Sequence, residues 1–177
     1  YQFCNLSTVI VRATDTMNDL VAKVQMAAIL GTWQSTLTNF PYLRKVWKEN
    51  TEAERLLGVS MTGILDSALF NNPDDPDLPD RLEEIRDAAV EMNKLEASLI
   101  GVPASVAVTA IKPEGTTSQL TDSASGMHTR HSKYYIRRVR GDVKDPVTQF
   151  MIAQGVPFEP CVMKPDTTVV FSFAKKA

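Results

Sequence analysis

Cysteine and histidine are scarce in this chain, with two of each in 177 residues. Cys4 and Cys161 are too few for the disulfide framework of a small secreted domain. Neither stands in a metal-ligand spacing with His128 or His131, so no metal site is expected. An excess of basic charge is also missing: 19 Lys and Arg against 21 Asp and Glu leave a formal net charge of −2. A general DNA or membrane-surface binder would need the opposite balance, so neither partner is expected. No apolar run approaches the roughly 20 residues that cross a bilayer. Residues 1–12 lack the basic start and small-residue cleavage site of a secretory signal. A cytoplasmic setting is the expectation.

What is present is the composition of an ordinary α/β protein, 44% hydrophobic and 23% charged, long enough to bury a core. Residues 4–12 read as a strand. Thr16-x-x-Asp19 then forms a capping-box pattern, and Met17, Leu20, Val21, Val24, Ala28, Trp33 and Leu37 mark a long amphipathic helix that Pro41 should end. A charged helix is predicted near 43–55, a buried strand over 56–63, and a further helix from Gly63 that fades by Asn71. Residues 71–79 form an acidic, proline-containing loop. Its acids suit a solvated loop and a helix N-terminus; a cation is the other use they allow. Pro79 suits the first turn of a long helix with stripe Leu82, Ile85, Ala89, Met92, Leu95 and Leu99, closed by Gly101 and Pro103. Farther on, 134–140 alternates as a strand, 145–154 reads as a short helix closed by Gly155, and 169–173 as a last strand. Strands alternating with helices imply βαβ units and a largely parallel sheet or barrel. A chain that starts and stops on strand-like segments is expected to be a piece of something larger.

The most informative stretch is Ser105-Val-Ala-Val-Thr-Ala-Ile111 followed by Lys112-Pro-Glu-Gly-Thr-Thr-Ser-Gln119. Small apolar and β-branched residues predict a strand buried on both faces. Pro113 and Gly115 break it, and Thr116, Thr117 and Ser118 stand where a helix would begin. A strand that turns into a helix N-terminus offers free N–H groups and the positive end of a dipole to an anion. The spacing matches neither common nucleotide-binding glycine loop. Read from the residues alone, an ordinary strand-to-helix turn and a phosphate site both remain open.

Four pieces in order carry a resemblance: Tyr1-Gln-Phe-Cys-Asn-Leu6, Glu54-Arg-Leu-Leu-Gly-Val-Ser-Met-Thr-Gly63, the 109–119 stretch, and Gly126-Met-His-Thr-Arg-His-Ser-Lys-Tyr-Tyr-Ile-Arg-Arg-Val-Arg140. Together they resemble the catalytic subunit of ribonucleotide reductases. The Tyr134–Arg140 segment points to the adenosylcobalamin-dependent class (class II). Glu159-Pro160 and the 165–173 segment fit as well, so the resemblance covers essentially the whole chain. It implies a ten-stranded α/β barrel, of which this chain would be one fragment, 1–177, covering most of the second half-barrel.

The resemblance also implies roles. Class II enzymes use adenosylcobalamin to make a thiyl radical on a cysteine in an Asn-x-Cys-x-Glu setting, and two further cysteines then reduce the ribose. Neither cysteine here has that setting, so the piece alone would be inactive. Cys4 matches one member of the reducing pair, with its partner in the missing N-terminal half of the barrel. Cys161 is expected to be a half-buried loop thiol without a role. Pro113, Glu114, Gly115, Thr116, Thr117 and Ser118 would form the loop that takes the substrate phosphates, with Glu114 and Gly115 shaping the turn. A carboxylate beside phosphate is unfavourable unless it points away. Met127 and His128 lie where the cofactor could approach. The cations Arg130, Lys133, Arg137, Arg138 and Arg140 suit either a solvated strand edge or attraction of nucleotide and corrin side chains. The implied substrate is a ribonucleoside di- or triphosphate, and the implied reductant is thioredoxin-like. Two other readings stay open: a non-catalytic nucleotide- or phosphate-binding module, and a purely structural half-barrel.

Overall fold

The computed structural model describes residues 1–177, which form two compact units, Tyr1–Thr129 and Arg130–Ala177. In the first unit, β1 (Asn5–Ile10) pairs in parallel with β2 (Leu57–Thr62), in register from Asn5↔Leu57 to Ile10↔Thr62. Two helices make the connection, α1 (Met17–Gln34) and α2 (Lys45–Glu54). The capping box that opens α1 is formed: Thr16 Oγ1 accepts from the Asp19 N–H, while the Asp19 carboxylate accepts from the Thr16 N–H. The helix stops well short of Pro41: past Ser35 the Thr36 and Leu37 N–H groups tighten onto the carbonyls three residues back, Trp33 and Gln34, and the Ser35 hydroxyl turns back on the Thr32 carbonyl. Of the expected stripe, Leu20, Val24 and Ala28 are buried, whereas Trp33 and Leu37 are exposed and Ala27, Gly31 and Thr32 continue the buried face.

α3 (Leu78–Ile100) carries Pro79 in its first turn and ends on Gly101 at φ +74°, a left-handed cap that glycine adopts without cost. It packs on α1 through Ile85, Ala89, Asn93 and Ala97, whereas Leu95 and Leu99 are exposed. The predicted stripe is thus rotated toward the C-terminal end of the helix. Small residues on both helices allow close approach, and Asn93 is drawn inward by polar partners. Its Nδ2 donates to Thr32 Oγ1 (2.8 Å) and Ser105 Oγ (3.0 Å), and its Oδ1 accepts from the Ser105 N–H (2.9 Å). Leu20, Val24, Leu57, Val59, Phe70 and Ile85 form the heart of the core, each worth about 1.5–3 kcal/mol when fully buried.

Two expectations fail here. The helix predicted from Gly63 is only a single 3₁₀ turn, Ile64–Asp66, followed by turns. Gly63 sits at φ +76°, and the Asp66 carboxylate is committed to the Ala124 N–H (2.7 Å). Residues 105–111 run parallel along β2, with Leu57 N–H to Ala107 O, Val59 N–H to Val108 O and Ala110 N–H to Val59 O, all 2.9 Å. They form no regular strand, and Val108 alone is buried while Val106 and Ile111 are 72% and 80% exposed. The segment pairs with β2 along one edge and lies at the margin of the β1–β2 pair rather than at the centre of a sheet covered on both faces.

The second unit is a three-stranded sheet in the order β3 (Tyr134–Asp142), β5 (Thr168–Lys176), β4 (Phe158–Pro160). Both pairings are antiparallel. Helix α5 (Pro146–Ala153) lies between β3 and β4 in sequence, capped by the Asp145 carboxylate. The expected largely parallel arrangement therefore holds in the first unit and fails in the second. A connection of only seven residues joins β4 to β5, too short for a parallel crossover. The α/β class stands, and the two small sheets do not by themselves make up the expected half of a ten-stranded barrel. No helix is long and apolar enough to cross a membrane.

Candidate functional site

Side chains alternate across a strand, so Val9, Leu57 and Val59 turn to the helix-covered core while Leu6, Thr8, Gly58, Ser60 and Thr62 share the opposite face. Cys4 reaches onto that second face. A Cβ on Gly58 would lie 2.6 Å from Leu6 Cδ2, 3.2 Å from Cys4 Sγ and 3.5 Å from Ala110 Cβ. Glycine at this position leaves the room that the thiol and Leu6 occupy. Cys4 is exposed and unpaired. Partial burial pushes its thiol pKa up, and the Lys112 ammonium pulls the other way.

On the same face, the turn after residue 111 is built around Glu114. Its backbone is left-handed, φ +53°, a conformation that costs a non-glycine residue about 1–2 kcal/mol. The side chain is 3% exposed. Its Oε1 accepts from Thr8 Oγ1 (2.7 Å), Ser60 Oγ (2.8 Å) and Lys112 Nζ (2.7 Å). Burial raises the Glu114 pKa, but the donors from Lys112, Thr8, Ser60 and Thr117 outweigh it and hold the value at about 2. Lys112 Nζ also donates to Thr8 Oγ1 (3.2 Å). The carboxylate therefore points away from the outer surface of the turn.

The rest of the turn divides into an outer and an inner part. Pro113, Gly115 and Thr116 are exposed, Thr117 is half-buried, and Ser118 is wholly buried with its hydroxyl donated to the Gly115 carbonyl. The first amide that closes back on the turn is that of Ser118, to Glu114 O at 3.0 Å. Gly115, Thr116 and Thr117 precede it at the head of the one-turn helix α4 (Thr117–Leu120), where amides have no intrahelical acceptor. The outer residues are the ones able to meet a ligand, and Ser118 closes the turn from within.

Residues 123–126 strap this turn to the end of β2. Thr62 Oγ1 donates to Ala124 O (2.9 Å) and accepts from the Gly126 N–H (3.0 Å). Gly126, at φ +55°, lies so close that a Cβ would come 2.5 Å from the Lys112 carbonyl and 3.2 Å from that of Pro113. Met127 and His128 follow, both exposed; the His128 N–H donates to Ser125 O (2.9 Å). Met127 borders an open apolar cavity of about 790 Å³, bounded by Ile64, Phe70, Leu82, Ile85 and Ile111.

The basic cluster and Cys161 lie in the second unit. Arg138 pairs with Glu159, and Lys133 stands over the Tyr134 ring. Cys161 is buried. The N–H groups of Met163 and Lys164 lower its thiol pKa against burial, with Arg140 adding to the effect.

Three residues of the site escape a reading of the turn alone: Thr8, Ser60 and Lys112. Their signal in the sequence is faint. Two hydroxyl residues in register on one face of adjacent strands, Thr8↔Ser60, are the clue, and Asn5, Ser7 and Thr62 on the same strands dilute it.

No protein-family model matches the chain. Among curated proteins, it is 30% identical over 130 residues to an adenosylcobalamin-dependent ribonucleoside-triphosphate reductase of Euglena gracilis, covering 72% of this chain and 18% of that protein. The reductase of the same name from Lactobacillus leichmannii is 24% identical over 169 residues, with 82% and 23% covered. A probable one from Dictyostelium discoideum is 27% identical over 178 residues, with 96% and 22% covered. A crystal structure of a B12-dependent (class II) ribonucleotide reductase superposes with a TM-score of 0.76 at 24% identity, over 99% of this chain and 27% of that one. The chain thus spans about a fifth of the length of the curated relatives it matches. Motifs, sequence similarity and fold agree: the chain belongs to the adenosylcobalamin-dependent (class II) ribonucleotide reductases, to one segment of which it corresponds.

Proposed function

We propose that these residues serve the reduction of a ribonucleoside triphosphate to its 2′-deoxy form, the activity named for the relatives. The 113–117 turn takes the phosphates, and Cys4 supplies one of the two thiols that reduce the sugar. The observation that carries this reading is that Cys4 and the Lys112–Glu114 turn share one face of the β1–β2 pair, opposite the helix-covered core.

The chemistry balances with a second thiol from outside these 177 residues. Two thiols give up two electrons and two protons and become a disulfide; C2′ loses its hydroxyl as water. A thioredoxin-type dithiol then restores the pair. Partial burial keeps the Cys4 sulfur protonated near neutral pH, the form that carries both a proton and electrons to the sugar. The outer amides of the turn and the Thr116 hydroxyl bind phosphate oxygens. Because Glu114 is turned inward and paired with Lys112, it does not repel them.

Adenosylcobalamin, when bound, supplies the radical initiation. Met127 and His128 are exposed rather than enclosed, and the cavity beside Met127 is walled by apolar side chains. A corrin carries a rim of amides that require hydrogen-bond partners. These residues do not form a corrin site by themselves, and the work assigned to this segment is confined to its own thiol and turn. No Asn-x-Cys-x-Glu lies among the 177 residues, so this stretch alone is expected not to turn over.

The test is Cys4→Ser in the full-length protein, assayed with triphosphate, adenosylcobalamin and a dithiol. Dithiol-driven turnover should vanish while triphosphate affinity stays within about twofold, since a distant sulfur-to-oxygen change is nearly isosteric. Undiminished turnover in that variant overturns the role of Cys4.

A further inference from the structure

Glu114 is a buried carboxylate at the head of a turn, in a backbone conformation that side chains avoid, and none of the proposed chemistry uses its charge. Its donors come from three separate pieces of chain. Thr8 reaches it from β1, Ser60 from β2, and Lys112 from the extended segment. The other bonds of the turn are local: Ser118 N–H to Glu114 O, the Ser118 hydroxyl to Gly115 O, the Ser125 hydroxyl to Pro113 O, and the Gln119 and Leu120 N–H groups to Thr116 O. Within residues 113–118, the Glu114 carboxylate is the group that ties the turn directly to β1 and β2. A hydrogen bond to a buried charge is among the stronger ones available to a protein, and leaving that charge short of a donor is costly.

We propose that Glu114 is a positioning residue: pinned to Thr8 and Ser60, its carboxylate locks the left-handed bend that presents the Gly115–Thr117 amides. Phosphate affinity is then set partly by a hydroxyl on β1, 106 residues away in sequence. The link to affinity rests on the phosphate reading of the turn; the lock on its conformation does not. Lys112 balances the charge, so the bend is held without placing net negative charge beneath the ligand.

Thr8→Val, nearly isosteric, removes one donor and leaves the backbone alone; Thr8→Ser keeps the donor; Glu114→Gln removes the charge. In the full-length protein without nucleotide, hydrogen exchange of the 113–121 segment should accelerate about tenfold in Thr8→Val and Glu114→Gln. Exchange in α3 should stay unchanged, and Thr8→Ser should match the wild type. In turnover assays the same two variants should raise KM for the triphosphate about tenfold and leave kcat within about twofold, as expected when ground-state and transition-state binding are lost together. Faster exchange with an unchanged KM supports the lock and overturns its link to phosphate. Unchanged exchange in Thr8→Val overturns the lock itself, and this variant decides the matter should Glu114→Gln fail to fold.

Discussion

Gly58 stands directly beneath Cys4: a methyl group on its α-carbon would lie 3.2 Å from the sulfur. The nearest atom it would meet is the end of the Leu6 side chain, at 2.6 Å, which is half-exposed and free to rotate. Gly58→Ala should therefore cost about 1 kcal/mol or less in denaturant unfolding. Its effect should fall on the thiol, as a changed rate of Cys4 alkylation. An alkylation rate equal to wild type would mean that the sulfur does not depend on this gap.

Gly126→Ala should behave differently, because its added methyl meets backbone rather than side chain. The Lys112 carbonyl would be 2.5 Å away, at a position whose φ of +55° already disfavours alanine. A loss of about 2–4 kcal/mol is expected from strain and overpacking together, measured by denaturant unfolding. The turn that Gly126 supports should lose triphosphate affinity with it.

Asn93 ties α3 to α1 and to the entry of the 105–111 segment through three hydrogen bonds. Asn93→Ala should destabilise the protein by about 2–4 kcal/mol, since it leaves the Ser105 N–H and the Thr32 hydroxyl with a lost partner and opens a small void. Leu95→Ala, on the exposed side of the same helix, should cost less than about 1 kcal/mol. Equal losses at the two positions would contradict the orientation of α3.

Acid pH isolates Glu114. Its folded-state pKa is held at about 2, against 4.5 for an unperturbed group. A depressed carboxylate pKa stabilises the fold above the unfolded value, and that stability drains away as pH falls toward the folded value. The stability difference between wild type and Glu114→Gln should thus be constant above about pH 5 and shrink between 4.5 and 2. Urea titrations at a series of pH values measure it; a pH-independent difference would place the carboxylate outside this network.

The Cys4 thiol should titrate above an ordinary cysteine, because burial outweighs the Lys112 charge. Lys112→Met removes the one opposing influence and should push the alkylation profile to still higher pH. A downward shift would show that Lys112 acts on the sulfur by some route other than its charge.

Most helices and strands follow from local pattern. The capping box at Thr16, Pro79 in the first turn of α3, Asp145 before α5 and Gly101 after α3 mark ends that the structure keeps. These signals are legible because each satisfies backbone groups within a few residues. Failures occur where a distant partner competes with local preference. Asp66 gives its carboxylate to Ala124 instead of supporting a helix, and Asn93 turns inward where Leu95 and Leu99 would be expected.

From sequence alone, the family, the α/β class, most of the helices and strands and the turn at 113–118 could be named, because motif residues and periodicity are local properties of the chain. Which atoms meet was decided only in three dimensions. Glu114 lies among the turn residues, yet its carboxylate belongs to Thr8 and Ser60, and Ser118 is sealed inside. Those pairings depend on strands brought side by side from opposite ends of the first unit, and no spacing along the chain encodes the register that aligns them.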